Sequence, residues 1–287
     1  MATASTIRVR RWPRFKGLDL LSRVSVFVLC ALVVATLLAR WFGVGGSTTD
    51  TVGPRLAPPG PDHLLGTDSL GRSLLPRLLE GVGTTLLLSA VAVLCTAVIS
   101  TAVGIVAGYH GGRLNELLMR LVDVVYAFPA VVLAILVAAI LGPGRPAAMA
   151  SIVLVTVPLM TRMVGAATRS VAGRDFVRAA VISGVPTHTI LVRHILRNIS
   201  GTIAVQGTYA LSLGILVEGV LSFLGYGVQL PSASLGLLIQ EGNLYMVTAP
   251  WLIIAPGVVL VAAILAINLI GDGLRDRFEP REARSLV

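Results

Sequence analysis

Gly81–Tyr109, GVGTTLLLSAVAVLCTAVISTAVGIVAGY, runs for 29 residues without a charged side chain. A bilayer core of about 30 Å is crossed by about 20 apolar residues in a helix, so this stretch is long enough to span and to tilt, or to start as an interfacial helix. Lipid offers the backbone no hydrogen-bond partners, which makes helix the only form such a segment can take. On either side, Val24–Phe42, Val124–Leu141, Ala147–Gly165, Ile199–Val217 and Trp251–Ile270 have the same character. Ala147–Gly165 holds Arg162 near one end, and its boundary stays open. The expected fold is an all-α integral membrane protein, a bundle of six transmembrane helices.

Composition agrees. Of 287 residues, 55% are hydrophobic and 13% charged, with a mean hydropathy of +0.87. Soluble domains carry about 25% charged residues, so an ordinary water-soluble enzyme is excluded. The net charge of +9 invites a nucleic-acid reading. That would need a basic face with stacking aromatics, yet aromatics make up 5% and the basic residues fall between the apolar runs. No nucleic acid is therefore expected.

Those basic residues set the orientation. With the amino terminus in the cytoplasm, 18 of the 23 lie inside: the tail from Arg8 to Arg23, Arg113 and Arg120, the segment from Arg162 to Arg197, and the carboxyl tail. Arg40, Arg55, Arg72, Arg77 and Arg145 remain outside. The positive-inside rule selects this arrangement, with both termini cytoplasmic. The charged start followed by an apolar run has the form of a signal peptide, but Arg40-Trp41-Phe42 is a poor cleavage context and the segment is read as a retained span. The domain reading is a basic tail over 1–23, a first span over 24–42, an outer segment over 43–80, a core over 81–271 and a tail over 272–287.

Within the bundle, Ser100, Gly104 and Gly108 form a small-residue stripe suited to close helix packing. Cys30 and Cys95 sit in apolar runs and read as small buried hydrophobes, without a disulfide or metal role. No P-loop occurs, and Lys16 is the sole lysine. His63, His110, His188 and His194 lie outside the spans without ligand spacing, so no metal site or intramembrane protease is expected. Asp123, Glu218 and Asp272 approach the bilayer near helix ends. An acid there is a functional candidate, and for Glu218 a structural hydrogen-bonding role stands beside a place on a substrate path. No internal repeat divides the spans into matching halves, which weakens a gradient-driven secondary transporter.

Three non-spanning segments carry more pattern than a connection needs. Outside, Thr48–Glu80 opens on Pro/Gly turns and continues HLLGTDSLGR over 63–72. Thr67 or Asp68 is placed to cap an amphipathic helix with Leu70, Leu74, Leu75 and Leu78 as its stripe, lying at the interface. Between the fourth and fifth spans, over 171–198, FVRAAVIS reads as a short helix stopped by Gly184, and Thr187 as the cap of a second helix bearing Ile190, Leu191 and Ile195. This helix–glycine–helix elbow either docks into a groove on a soluble partner or folds back on its own bundle. Leu221–Pro231, LSFLGYGVQLP, reads as a re-entrant or interfacial turn lining a cavity.

The elbow, LGTDSLGR over 65–72, LSFLGYGVQ over 221–229 and NLIGDGLRD over 268–276 occur in the order of, and together resemble, the dipeptide/oligopeptide ABC importer permeases, in particular the DppC/OppC-type subunit. The likeness runs over about His63 to Arg281. It implies a type I permease fold in the bacterial cytoplasmic membrane, forming half of a path for di- or oligopeptides. Permeases for nickel, glutathione or haem-like ligands share these motifs. It also implies a second homologous permease (DppB/OppB-like), ATPase subunits (DppD/DppF-like) that bind the ATP in place of this chain, and an extracytoplasmic solute-binding protein.

By the same resemblance the elbow is the ATPase-coupling loop, with Phe176, Arg178, Ala179, Ala180, Gly184, Val185, Thr187 and Ile190 as its residues. The family pattern Glu-Ala-Ala, three residues, then Gly is matched by Ala179, Ala180 and Gly184, while Arg178 replaces the glutamate. Arg197 stands where a proline is usual. Glu218, Phe223 and Tyr226 are the pathway or gating candidates. Gly66, Thr67, Asp68, Gly71, Arg72, Asn268 and Asp272 belong to structural motifs.

Overall fold

A computed structural model describes residues 20–42 and 48–278. The basic residues Arg8, Arg10, Arg11, Arg14 and Lys16, and Arg281 and Arg284, lie outside the described residues. The helices are α1 (Leu20–Phe42), α2 (Leu74–His110), α3 (Gly112–Tyr126), α4 (Ala130–Leu141), α5 (Arg145–Ala172), α6 (Asp175–Ile182), a single turn α7 (Thr187–Thr189), α8 (Arg197–Phe223), α9 (Leu235–Asn243) and α10 (Trp251–Phe278). Between α7 and α8, Ile190–Leu196 winds as a π-helix, so Thr187–Phe223 is one continuous rod.

Five rods are each long and apolar enough to span; the expected run Val124–Leu141 is not one helix but is divided between α3 and α4, which reach the length of a sixth span only as a pair bent by 87°. The bend has a local cause. Pro129 lacks a backbone N–H and disfavours helical conformation at Phe128, so α3 ends at Tyr126 and α4 restarts at Ala130. The bent chain nevertheless runs antiparallel along α5. The Arg169 guanidinium donates to Asn115 Oδ1 (2.9 Å), Arg162 pairs with Asp123, and the Ser151 hydroxyl donates to the Ala134 carbonyl (2.9 Å).

The α2–α5 seam is the central contact, and the small-residue stripe forms it. A β-carbon on Gly104 would lie 2.8 Å from Val164 Cγ1, and one on Gly108 2.6 Å from the Gly165 carbonyl. Ser100 adds a hydroxyl bond to the Val157 carbonyl at 3.2 Å. Backbones this close gain dispersion contact where lipid supplies no hydrophobic drive.

Three expectations need correction. No separate amphipathic helix lies at the outer interface: α2 begins at Leu74 and continues unbroken for 37 residues, with Leu74 and Leu78 buried against α9 and α10. Neither Thr67 nor Asp68 caps it, because both side chains close the preceding loop instead. The Thr67 hydroxyl donates to the Pro54 carbonyl (2.6 Å) and accepts from the Ala57 N–H (2.8 Å); Asp68 Oδ1 accepts from the Leu70 and Arg72 N–H groups at 2.8 and 3.0 Å. Cys30 and Cys95 are exposed, not buried, because an apolar side chain in a bilayer can face lipid.

Leu221–Pro231 turns back onto the bundle. The Gly225 N–H donates to the Ser222 carbonyl and the Tyr226 N–H to the Leu221 carbonyl, with Gly225 at φ +82°. This is the Schellman stop, which glycine alone adopts without steric cost. It buries Leu221 and Val228 and leads into α9, a helix capped by the Ser234 hydroxyl accepting from the Leu237 N–H.

Candidate functional site

The elbow is built by the same device. After Ile182 the Gly184 N–H donates to the Val181 carbonyl (3.0 Å) and the Val185 N–H to the Ala180 carbonyl (3.0 Å), with Gly184 at φ +74°. Gly184 is thus the stop expected from the sequence, and the accompanying apolar pair is Ala180 with Val185, both half-buried. Thr187 is not a cap. Pro186 occupies that place, and its carbonyl accepts from the Thr189 and Ile190 N–H groups.

The elbow folds back on its own bundle with one face and leaves the opposite face open. Val177, Ile190 and Ile195 are buried against Ile105, Met160, Val164, Val171 and Ile199 at one end of the bundle. The other face presents Phe176, Val181 and Val192, and Ile182 at 86% exposure. Arg178 and Ala179 stand on that open side, and Arg178 has no ion pair among the described residues. A short amphipathic helix anchored by one face and offering apolar side chains on the other has the form of a plug for a groove. The π-helical turn follows directly; such turns break the regular ladder and recur at functional places. Its His194 carbonyl accepts from Asn198 Nδ2 at 2.6 Å.

The Glu218 candidate sits elsewhere. It is fully buried in α8, where its two oxygens accept from the Thr85 hydroxyl (2.8 Å) and the Ser222 hydroxyl (2.6 Å). Thr85 Oγ1 in turn accepts from the Leu235 N–H, and Ser222 Oγ from the Val228 N–H. One carboxylate therefore ties α2, α8, the 221–231 turn and the start of α9. Phe223 is part-exposed and Tyr226 half-buried against the core, so the three candidates do not share one open surface.

At the end opposite the elbow, Gly66 (φ +80°) and Gly71 (φ +76°) shape the loop that Asp68 closes. Asp68 Oδ2 accepts from Arg72 Nε (2.6 Å) and Arg77 Nη1 (2.8 Å), and Arg77 forks onto Glu241 of α9 at 2.6 and 3.1 Å. At the elbow end, Asp272 accepts from the Tyr209 hydroxyl (2.7 Å), with Asn268 half-buried one turn earlier. A groove of about 840 Å3 opens between α1 and α2, lined by Thr36, Leu37, Glu80, Leu87 and Arg145. Among the described residues no group of His, Cys, Asp and Glu has the arrangement of a metal site. Sequence reading missed α9, the Arg77–Glu241 bridge and the Asp123–Arg162 pair with Tyr126. The signals present were Arg77 and Arg162 themselves, arginines inside largely apolar helices.

Comparison with known proteins places this geometry. The model of the family described as the inner membrane component of binding-protein-dependent transport systems matches residues 100–284. A peptide transport system permease of Brucella suis, itself of tentative assignment, is 38% identical over 259 residues, covering 90% of this chain and 87% of that one. The dipeptide transport system permease DppC of Haemophilus influenzae is 33% identical, covering 89% and 88%. The glutathione transport system permease GsiD of Escherichia coli is 35% identical, covering 94% and 89%. Among solved structures, an inward-facing form of the MetNI methionine ABC transporter superposes with a TM-score of 0.59 at 20% identity, covering 71% of this chain and 97% of the matched one. That last likeness concerns the fold.

Proposed function

From the premise that the chain belongs to the binding-protein-dependent transport system inner membrane components, we propose that it is a permease subunit of an ATP-driven importer, carrying di- or oligopeptides across the bacterial inner membrane. Peptides are favoured because relatives named for peptide and dipeptide transport match about nine-tenths of the chain. The glutathione permease, itself named for a tripeptide, keeps such ligands as the second reading. A second homologous permease would complete the path, DppD/DppF-like ATPases would supply the motor, and a solute-binding protein would deliver cargo on the far side.

The observation that carries the coupling reading is the elbow's two-faced construction. Val177, Ile190 and Ile195 fasten it to the bundle while Phe176, Val181 and Ile182 stay open. Following the charge distribution, this end lies in the cytoplasm. ATP binding closes the ATPase pair, its groove carries the elbow, and the buried anchors pass that displacement to α2, α5 and α8. The bundle then exchanges inward- and outward-facing states, with ATP favouring one of them. This chain performs no bond chemistry in that cycle. Glu218 acts as a latch rather than a substrate contact.

Gly184→Pro tests the coupling. Proline fixes φ near −65°, against +74° here, and removes the N–H that donates to Val181. The variant is expected to insert normally yet lose peptide-dependent uptake and co-purification with the ATPases. Normal uptake would count against the elbow as the coupling loop.

A further inference from the structure

Arg162 lies where an arginine is expensive. α5 has 28 residues and is therefore about 42 Å long at 1.5 Å per residue. Arg162, counted on the cytoplasmic side by the charge distribution, stands within α5 about 26 Å from the Arg145 end. A 30 Å hydrocarbon band centred on the helix spans about 6–36 Å, which leaves the Arg162 backbone about 10 Å inside the boundary nearer the elbow. Its side chain does not stretch toward headgroups as a snorkelling arginine would. It turns to α3 instead. Nη2 pairs with Asp123 Oδ1 at 3.1 Å, and the guanidinium lies over the Tyr126 ring, 5.1 Å from its centre.

The pair is nonetheless open: the Arg162 and Asp123 side chains are 44% and 49% exposed. Acyl chains against a half-exposed ion pair would cost several kcal/mol, and ionisable groups at this depth face water or protein. The same face of α5 continues through Met163, Ala166, Arg169 and Ser170, all exposed, down to the elbow end, whereas Val164, Gly165 and Thr168 on the other side pack against α2. Arg169 is tied to Asn115 of α3. A seam of polar groups, Asp123, Arg162, Asn115, Arg169 and Ser170, thus follows α3 and α5 to that end among exposed apolar side chains such as Met163 and Leu121.

We propose that this seam lines the water-filled translocation path and that the Asp123–Arg162 pair is a station for the peptide's two ends, Arg162 taking the carboxylate and Asp123 the ammonium. The proposal rests on the peptide-import reading above. The chemistry fits: a guanidinium grips a carboxylate through two parallel N–H bonds, and the Tyr126 ring face retains the arginine by cation–π attraction while it changes partners. Exchanging one ion pair for two leaves no charge without a partner.

The test uses the complete importer, purified with its partner chains and reconstituted in vesicles. In a background with Cys30→Ser and Cys95→Ser, Met163→Cys is exposed to a charged, membrane-impermeant methanethiosulfonate from the elbow side. Modification of this cysteine is expected, and none of Cys95 retained alone on the exposed face of α2. Resistance to the charged reagent with reaction toward a lipid-soluble maleimide would place the seam in lipid and overturn the proposal. The second arm reverses the pair by Asp123→Arg with Arg162→Asp. A pair that only staples α3 to α5 would work in either polarity, and unchanged uptake would refute the station. Assembly with uptake lowered about tenfold or more, the equivalent of one charge-assisted hydrogen bond, supports it. Failure of the unsubstituted importer to take up any peptide would overturn the peptide reading and with it the partner exchange. The labelling needs no cargo and decides separately whether the path runs here.

Discussion

Glycines on the α2–α5 seam are not equivalent. A β-carbon on Gly108 meets the Gly165 carbonyl at 2.6 Å and Thr168 Cβ at 2.7 Å, whereas one on Gly165 finds its nearest neighbours at 3.6 Å. Backbone cannot step aside as a flexible side chain can, so Gly108→Ala is expected to destabilise by about 1–3 kcal/mol as overpacking. Gly165→Ala is expected to be neutral or to gain up to about 1 kcal/mol from helix propensity. Thermal unfolding in detergent separates the two, and equal midpoints would mean the seam is looser than described. The stripe Ser100, Gly104 and Gly108 was legible from spacing. Which of its facing glycines had room to spare was not, since that depends on how α5 is rotated against α2.

Among elements, α9 is held to α2 by charge. Arg77 is 1% exposed and shared between Asp68 and Glu241. Removing one member of such a group strands the others: Arg77→Met is expected to cost about 3–5 kcal/mol, with partial recovery when Glu241→Gln is added. A double-mutant cycle on thermal stability checks this, and strictly additive effects would contradict a shared network. Spans were legible because bilayer thickness imposes a length that apolar runs report directly. The elbow's stop was legible because only glycine takes the left-handed turn cheaply. The second helix of that elbow starts differently from expectation, since Pro186 fixes the backbone one residue before Thr187 and leaves that hydroxyl nothing to cap. The bend between α3 and α4 was written in Phe128-Pro129, inside a run whose hydrophobicity masked it. Arg77 and Glu241, 164 positions apart, left no local pattern at all.

For the whole molecule, the bundle is welded along α2, α5 and α8. The Glu218 latch, the 221–231 turn and the Arg77 network consolidate the half away from the elbow, while Val177, Ile190 and Ile195 consolidate the half beside it. Coupling by rigid displacement requires such consolidation, because a packed core switches between discrete arrangements instead of deforming smoothly. In the assembled importer, spin labels at Leu70 and Ile182, both exposed, are expected to report one concerted change on nucleotide binding. Two transitions with separate nucleotide dependence would argue for a hinge between the halves.

With its 37 residues, α2 measures about 55 Å at the usual rise, nearly twice the oily slab it pierces. A strut of that length runs the whole depth of the bundle without a relay. In the proposed importer, a pull at its elbow end would travel along one helix to the opposite rim, so cargo release and fuel consumption would share a single axle.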